Sequence, residues 1–520
     1  MPLARLHVGL IDARRAGLLF AAFGVTVSIG LWLSLKAQYY GLPLPLTWLA
    51  VALPAWLALT RRTGLALAAV LLYMGLLDGL IRLKTGGQAA TLGRDVLLYA
   101  VAAGMALRAP RPFRAPPLSR WVVAWIVVIG VQVANPGDLS VAHAVASLRQ
   151  HLEFVPLFFI GYVALRSHAS LRVFFALLLA VATLNGAVAA YQSSLSVDQL
   201  SSWGPGYAHL LSGDGARVYW TSAYGGKPRV RPPALGGDEG FGGEVGAAAL
   251  PGGIILLMTA RRRWWWRVLI LCGIVGAVIS IVTSEQRTDI IMASVSLLAL
   301  LGLVTVGGQG RRALLALSLG AVIGGGVILA VVSYDSAALA RYSSIAPGHA
   351  GSTIYNSRAG TWSLLPRYMA KIPLGVGLGT VGPAAAKIGG KETNWNAESQ
   401  FNFLVVEAGI PALVVFIAFQ CVLCATIVRG LYREQDPQAA LLMAALAAPL
   451  FGVAASWFVG VYTTVPPTAP YLWLAAGAIS WWLVTRQRQI EAGESMPEEQ
   501  ATRVQQASIP GGRLYYEVAP

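Results

Sequence analysis

The strongest constraint in this chain is a recurring apolar run of roughly 17 to 25 residues, the length that crosses a hydrocarbon core about 30 Å thick. Polar or arginine-bearing turns separate one run from the next. Within lipid every backbone N–H and C=O needs an internal partner, so such runs fold as helices. The apolar pattern is continuous rather than alternating, which excludes a membrane β-barrel. Composition decides against a soluble protein: 56% of the 520 residues are hydrophobic and 12% are charged, about half the charge share of a soluble domain. The expected fold is an all-α polytopic membrane protein.

Fourteen candidate spans can be placed, centred near Val25, Val51, Leu72, Val101, Val127, Phe159, Leu179, Leu250, Val275, Leu297, Ile323, Val414, Leu450 and Ala476. Asp95–Leu107 is short and Trp121–Ala134 is bounded by Arg120 and Asn135; without these two, 12 spans remain. Arginines cluster at the N-terminal end and in every second loop: Arg14/Arg15, Arg61/Arg62, Arg108 to Arg120, Arg166/Arg172, Arg261 to Arg263 with Arg267, Arg311/Arg312, Arg429/Arg433 and Arg486/Arg488. The positive-inside rule puts these in the cytoplasm, with both termini. The expected organisation is one membrane domain over 1–485 with long outer loops at 193–243 and 334–399, then a polar cytoplasmic tail at 486–520. The net charge of +16 is then partly topogenic and partly suited to anionic membrane lipids, and needs no nucleic-acid partner. The arginines before the first apolar run superficially resemble a signal peptide, but the spans that follow favour a retained helix. Cys421 and Cys424 form a C-x-x-C pair inside an apolar run, which suits small packing residues better than a redox or zinc pair.

Both long outer loops are basic. All six lysines (Lys36, Lys84, Lys227, Lys371, Lys387, Lys391) fall on the outer side, with Arg217, Arg229, Arg231, Arg287, Arg341, Arg358 and Arg367. Cations kept against the topogenic bias point to an anionic ligand, although long loops also escape that bias. In the first loop Arg229 and Arg231 precede a glycine-rich entry to a span, where backbone N–H groups and a helix N-terminus favour phosphate. A planar guanidinium fork holds phosphate bidentately. The turn "TSEQRTDII" places Glu285, Arg287 and Asp289 between two spans. Charges so close to hydrocarbon are paired or functional, so Arg287 reads either as an anion ligand or as part of a structural ion pair.

In the last loop Trp362, Leu364, Leu365, Tyr368 and Met369 form an apolar stripe suited to a membrane interface, beside Arg358, Arg367 and Lys371. The glycines from Gly375 to Gly382 fold the chain back toward the site. Glu398 and Gly409 are eleven residues apart, three helical turns plus about 20°, so on a helix they share a face. Asn402, at i+4, joins them. Glu398 is then a candidate general base whose pKa apolar surroundings would raise. A helix-stabilising N-terminal glutamate is the alternative. His349, in the same loop, is a second candidate base.

Four stretches together resemble the O-antigen ligase and polysaccharide polymerase superfamily of membrane glycosyltransferases. They are "RVRPPALGGDEGFGGEVGAAALP", "SEQRTDIIMASVSLLAL", "SRAGTWSLLPRYMAKIPLGVGLGT" and "ESQFNFLVVEAGIPALVVFIAF", and they cover roughly the second half of the chain. The family's ligases carry a histidine where this chain has Glu398, eleven residues before Gly409, and that departure favours a chain-extending polymerase. The resemblance implies an enzyme of the bacterial inner membrane that transfers an undecaprenyl-diphosphate-linked oligosaccharide to an acceptor sugar hydroxyl on the periplasmic face, inverting the anomeric centre without a cofactor. No Asp-x-Asp motif occurs, so arginines would replace a divalent metal. Arg287, with Arg231, Arg229, Arg358 and Arg217, would hold the diphosphate. Glu398 would deprotonate or orient the acceptor, with Asn402 nearby, and spans between Asp95 and Gln192 would form a groove for the polyprenyl tail. The expected partners are the lipid-linked donor, the glycan acceptor and membrane lipids, with a chain-length regulator protein as a further candidate. An O-antigen ligase, a protein O-oligosaccharyltransferase and, from another class, a lipid-linked oligosaccharide flippase remain alternatives.

Overall fold

The computed structural model describes residues 53, 56–87, 89–108, 115–137, 140–212, 218–220, 228–237, 240–260, 264–311, 315, 318, 350–382, 385 and 395–492. The span centres Val25, Val51 and Ile323, the candidates Arg217 and His349, and residues 493–520 lie outside them.

Seven described helices are long and apolar enough to cross a membrane: α1 (Thr63–Thr85), α6 (His168–Ser193), α9 (Phe241–Thr259), α10 (Trp264–Thr283), α11 (Arg287–Val306), α13 (Gln400–Arg433) and α14 (Pro437–Ser456). The chain is thus a helical, membrane-embedded, polytopic protein. Between α6 and α9 lie two short helices, α7 (Val197–Ser201) and α8 (Pro205–Ser212), and an antiparallel ribbon of β1 (Val218–Trp220) and β2 (Pro228–Val230). α12 (Ala350–Lys371) precedes a glycine loop, and α15 (Thr468–Ser480) continues through a π-helical turn, Trp481–Arg486.

The remaining expected spans depart from simple apolar helices. α2 (Ala89–Arg108) is helical throughout but carries Arg94 and Asp95. α3 (Ser119–Val131) and the turn after it make a shorter apolar helix ending at Ala134. The span centred on Phe159 is broken into α4 (Val141–Leu152) and α5 (Pro156–Ala164). Pro156 stands at the first turn of α5; it lacks an N–H and disfavours helix before it, so the break falls at Glu153–Val155. Glu153 is taken up by Arg94, with Nη2 2.6 Å from Oε2. Arg94 also meets Asp78 of α1 at 3.2 Å and Asp95 at 3.1 Å. A buried guanidinium with three carboxylates around it is tolerable inside a membrane protein because each charge is paired.

α9 and α14, rich in alanine and glycine, are buried along most of their length and form the centre. Small residues allow the close backbone approach that substitutes for hydrophobic drive in lipid. α11 and α14 run antiparallel: Gly452 abuts Met292 and Ser296, and Gly307 abuts Ala440. The start of α11 therefore lies at the end of α14 that leads into Trp457. The backbone N–H of Gln400 donates to Trp457 O at 2.9 Å, so α11 and α13 begin at the same end of the bundle.

α13 is not straight. Gly409 has φ 72° and ψ −172°, a conformation open essentially to glycine alone. A Cβ there would stand 2.5 Å from Pro373 O, so the close approach of the glycine loop adds a second reason. The backbone groups released by the kink find partners: Ile410 N–H donates to Pro373 O and Val376 N–H to Val406 O, both at 2.7 Å, and Gln132 Nε2 donates to Ala408 O at 3.2 Å.

Candidate functional site

The loop 231–237 follows β2, ahead of α9, and side chains of other helices fix it from several directions. Gln192 at the end of α6 accepts from Ala234 N–H at 2.8 Å and donates to Ala234 O at 3.1 Å. Asn185, one helical face further in, accepts from Leu235 N–H at 3.0 Å while donating to Gly75 O of α1 at 3.0 Å. Gly75 lies in a π-helical turn, Tyr73–Leu77, so Asn185 satisfies a carbonyl which that turn offers and ties it to the loop. Arg82, near the end of α1, donates to Gly236 O at 3.4 Å. Gln286 packs against Gly240. The loop thus bridges the end of α1, the end of α6 and the start of α11.

Arg231 and Arg287 both reach this end and each is half-buried, the Arg287 Nε without a hydrogen-bond partner. Arg287 is the first residue of α11. Glu244, Glu285 and Asp289 are buried beside it, and all three have partners of their own. Gly243 leaves room for this group: a Cβ there would lie 2.0 Å from Asp289 Oδ2 and 2.6 Å from Ser284 Oγ. The rim is therefore a mixed arginine–carboxylate arrangement, not a bare cationic patch. Arg229 lies on β2 opposite Tyr219, two residues from Arg231. Arg358 lies within α12.

An apolar cavity of about 60 Å³ lies beside this loop. Phe241, which packs against Gly236, is one wall. Gly75, Val181 and Phe174 continue it inward, and Tyr471 and Leu474 close it. Of its lining, Leu157, Phe174, Leu178 and Val181 fall between Asp95 and Gln192, and the other walls come from α1, α9 and the segment 466–474.

At the start of α13 the structure corrects the helical argument for Glu398. Ser399 is the N-cap, its hydroxyl accepting from Asn402 N–H at 3.1 Å, and the helix begins at Gln400. Glu398 precedes the cap, is exposed, and its N–H donates to Asn396 Oδ1 at 3.1 Å. It therefore shares no helical face with Asn402 or Gly409, and the apolar surroundings expected of it are not found. Asn402 is fully buried and donates to Thr361 O of α12 at 2.8 Å, so it locks α12 onto α13. The apolar stripe of α12 faces protein as well: Tyr368 is buried and its hydroxyl accepts from Asn396 N–H at 3.0 Å, while Trp362 Nε1 donates to Phe458 O at 2.8 Å. Lys371 lies 5.4 Å over the Trp395 ring.

Below this cap, inside the bundle, is a group that the sequence reading passed over. Glu407, fully buried two residues before the kink, accepts from Ser147 Oγ at 2.7 Å and from the Gly379 N–H at 2.9 Å, and lies 2.8 Å from His151 Nε2. Arg82 and Arg94 were missed likewise. The available signal was ionisable residues within or at the edge of apolar runs: Glu407 alone in its run, Arg94 beside Asp95, and Arg82 between Asp78 and Lys84. Among the described residues no three His, Cys, Asp or Glu side chains are grouped as metal ligands, and Cys421 and Cys424 are free thiols on α13.

The structure gathers Arg231 and Arg287 around one loop and puts the segment bearing Glu398 at the same end of the bundle, across α14. No protein-family model matches the chain, and no significant match is found among the curated proteins or the solved structures.

Proposed function

We propose that the protein is a polysaccharide polymerase of the bacterial inner membrane, transferring an undecaprenyl-diphosphate-linked oligosaccharide to an acceptor sugar hydroxyl at the periplasmic end of the bundle. The observation that carries the reading is the juxtaposition at the loop 231–237: the half-buried Arg231 and Arg287 stand at its margin and an apolar cavity lies beside it. A polyprenyl diphosphate has that division of chemistry, a compact dianion on a long hydrocarbon chain. Arg231 and Arg287, with Arg229 and Arg82 close by in the chain and the fold, would hold the diphosphate and stabilise the charge that develops on it as the glycosidic bond breaks. Glu244, Glu285 and Asp289 would orient the guanidinium groups.

Glu398 would take the proton of the attacking hydroxyl. Its position ahead of the Ser399 cap leaves the carboxylate exposed at the same end as Arg287, where an acceptor glycan arrives from water. On this reading the ends of α1 and α6 and the start of α13 are periplasmic, both termini are cytoplasmic, and 193–243 and 334–399 are the two long periplasmic loops of a bundle of 12 to 14 spans. The test is to incubate purified protein with a synthetic lipid-linked repeat unit. A ladder of lengthened glycans supports the polymerase; transfer to lipid A makes it a ligase, and substrate movement across vesicles without transfer makes it a flippase.

A further inference from the structure

Neither the arginine loop nor Glu398 uses the buried carboxylate of Glu407. Its three donors come from two other segments: Ser147 and His151 stand one turn apart on α4, and Gly379 lies in the glycine loop that follows α12. The side chains of Glu407, Ser147 and His151 are buried, His151 at 2% exposure and the other two at 0%. The imidazole is fixed from both sides, stacked on Phe403 with centroids 5.3 Å apart and edge-on to Trp125 at 5.8 Å. Its Nδ1 is buried without a partner, so Glu407 is the hydrogen-bonding group that orients the ring.

One of the segments joined at Glu407, the first half of α13, leads back to Glu398. The glycine loop is pinned to α13 by Val376 N–H on Val406 O and by Ile410 N–H on Pro373 O, and to the turn after α3 by Asn135 Nδ2 on Leu374 O at 3.4 Å. Gly379 also abuts His143 of α4. The half of α13 between Gln400 and the kink at Gly409 is the piece whose direction this arrangement fixes, and Glu398 stands two residues before it.

We infer that Glu407 is a positioning residue: by gathering Ser147, His151 and the Gly379 amide it sets the depth of the glycine loop and the angle of the first half of α13, and so the place of Glu398 relative to Arg287. This rests on the glycosyl-transfer reading above, and its test separates the two. In the full-length protein, Glu407→Gln keeps the shape but turns an NH₂ toward one of the donors. Amide exchange across 373–382 should then quicken by about tenfold or more with 241–259 unchanged. Elongation should lose about tenfold in kcat while KM for the lipid-linked unit stays within about twofold, as misplacement of a reacting group predicts. Unchanged exchange overturns the inference, and faster exchange with kcat intact reduces Glu407 to a structural tie and overturns it equally. Should E407Q not accumulate, Ser147→Ala removes one donor and leaves the carboxylate two; an effect of about threefold on both readouts supports the inference and none overturns it. A wild-type protein inactive on the lipid-linked unit sinks the glycosyl-transfer reading and with it the kinetic role, while the exchange arm still decides whether Glu407 sets the loop.

Discussion

The loop 231–237 is held by polar side chains of two other helices, Arg82 of α1 and Asn185 and Gln192 of α6, each bonded to its backbone. The start of α13 is held from inside the bundle, by one buried carboxylate and by backbone bonds across the kink at Gly409. The first arrangement leaves the guanidinium groups of Arg231 and Arg287 half-buried at the rim; the second leaves Glu398 exposed ahead of the helix. Charges on a braced loop suit a ligand whose charge must be met by fixed dipoles, and an exposed carboxylate ahead of a helix cap suits a partner that enters and leaves with each cycle.

Each expected outcome breaks or sharpens that comparison. Glu398→Gln should lower elongation by roughly 10²–10⁴-fold, the range for loss of a general base, and Arg287→Ala by about 10²–10³-fold, the range for loss of a transition-state donor. Polymer from either variant at wild-type length and amount, measured on gels at matched protein level, would remove that residue from the site. Arg287→Lys should recover little of the loss because a point charge does not reproduce a bidentate fork; recovery to wild-type rate would make Arg287 bulk charge only. Gly409→Ala should cost about 1–3 kcal/mol from the left-handed backbone alone, read as a lowered thermal midpoint, and a neutral result would mean that the kink is not fixed by conformation. Smallest, Arg82→Ala should weaken affinity for the lipid-linked donor by about three- to tenfold through one lost loop contact and leave acceptor KM unchanged; a change in acceptor KM alone would place Arg82 on the other side of the comparison.

Much of the scaffold was legible in the sequence because apolar length is a local property: α1, α6, α9, α10, α11, α13 and α14 each coincide with an expected span. The broken span α4–α5 was not, since Glu153 is accommodated by Arg94, 59 residues away. Glu398 was placed on the helix because a three-turn spacing to Gly409 looks helical, but Ser399 is the better cap and Gly409 is itself the kink. The arginine loop was legible as a cluster of cations, while what holds it was not: Asn185 and Gln192 sit in an apolar run and bond to backbone about 50 and 42 residues on. Glu407 was overlooked for the same reason, its donors being 260 and 256 residues away on α4 and 28 away in the glycine loop.

The central claim is that the arginine loop and the start of α13 form one site. It is tested most directly by irradiating the full-length protein with a photoreactive polyprenyl-diphosphate sugar and mapping the labelled peptides. Label on both 231–237 and 395–402, competed away together by unlabelled lipid-linked glycan, is the predicted result; label confined to one of them, or persisting on one when the other is competed, would contradict it.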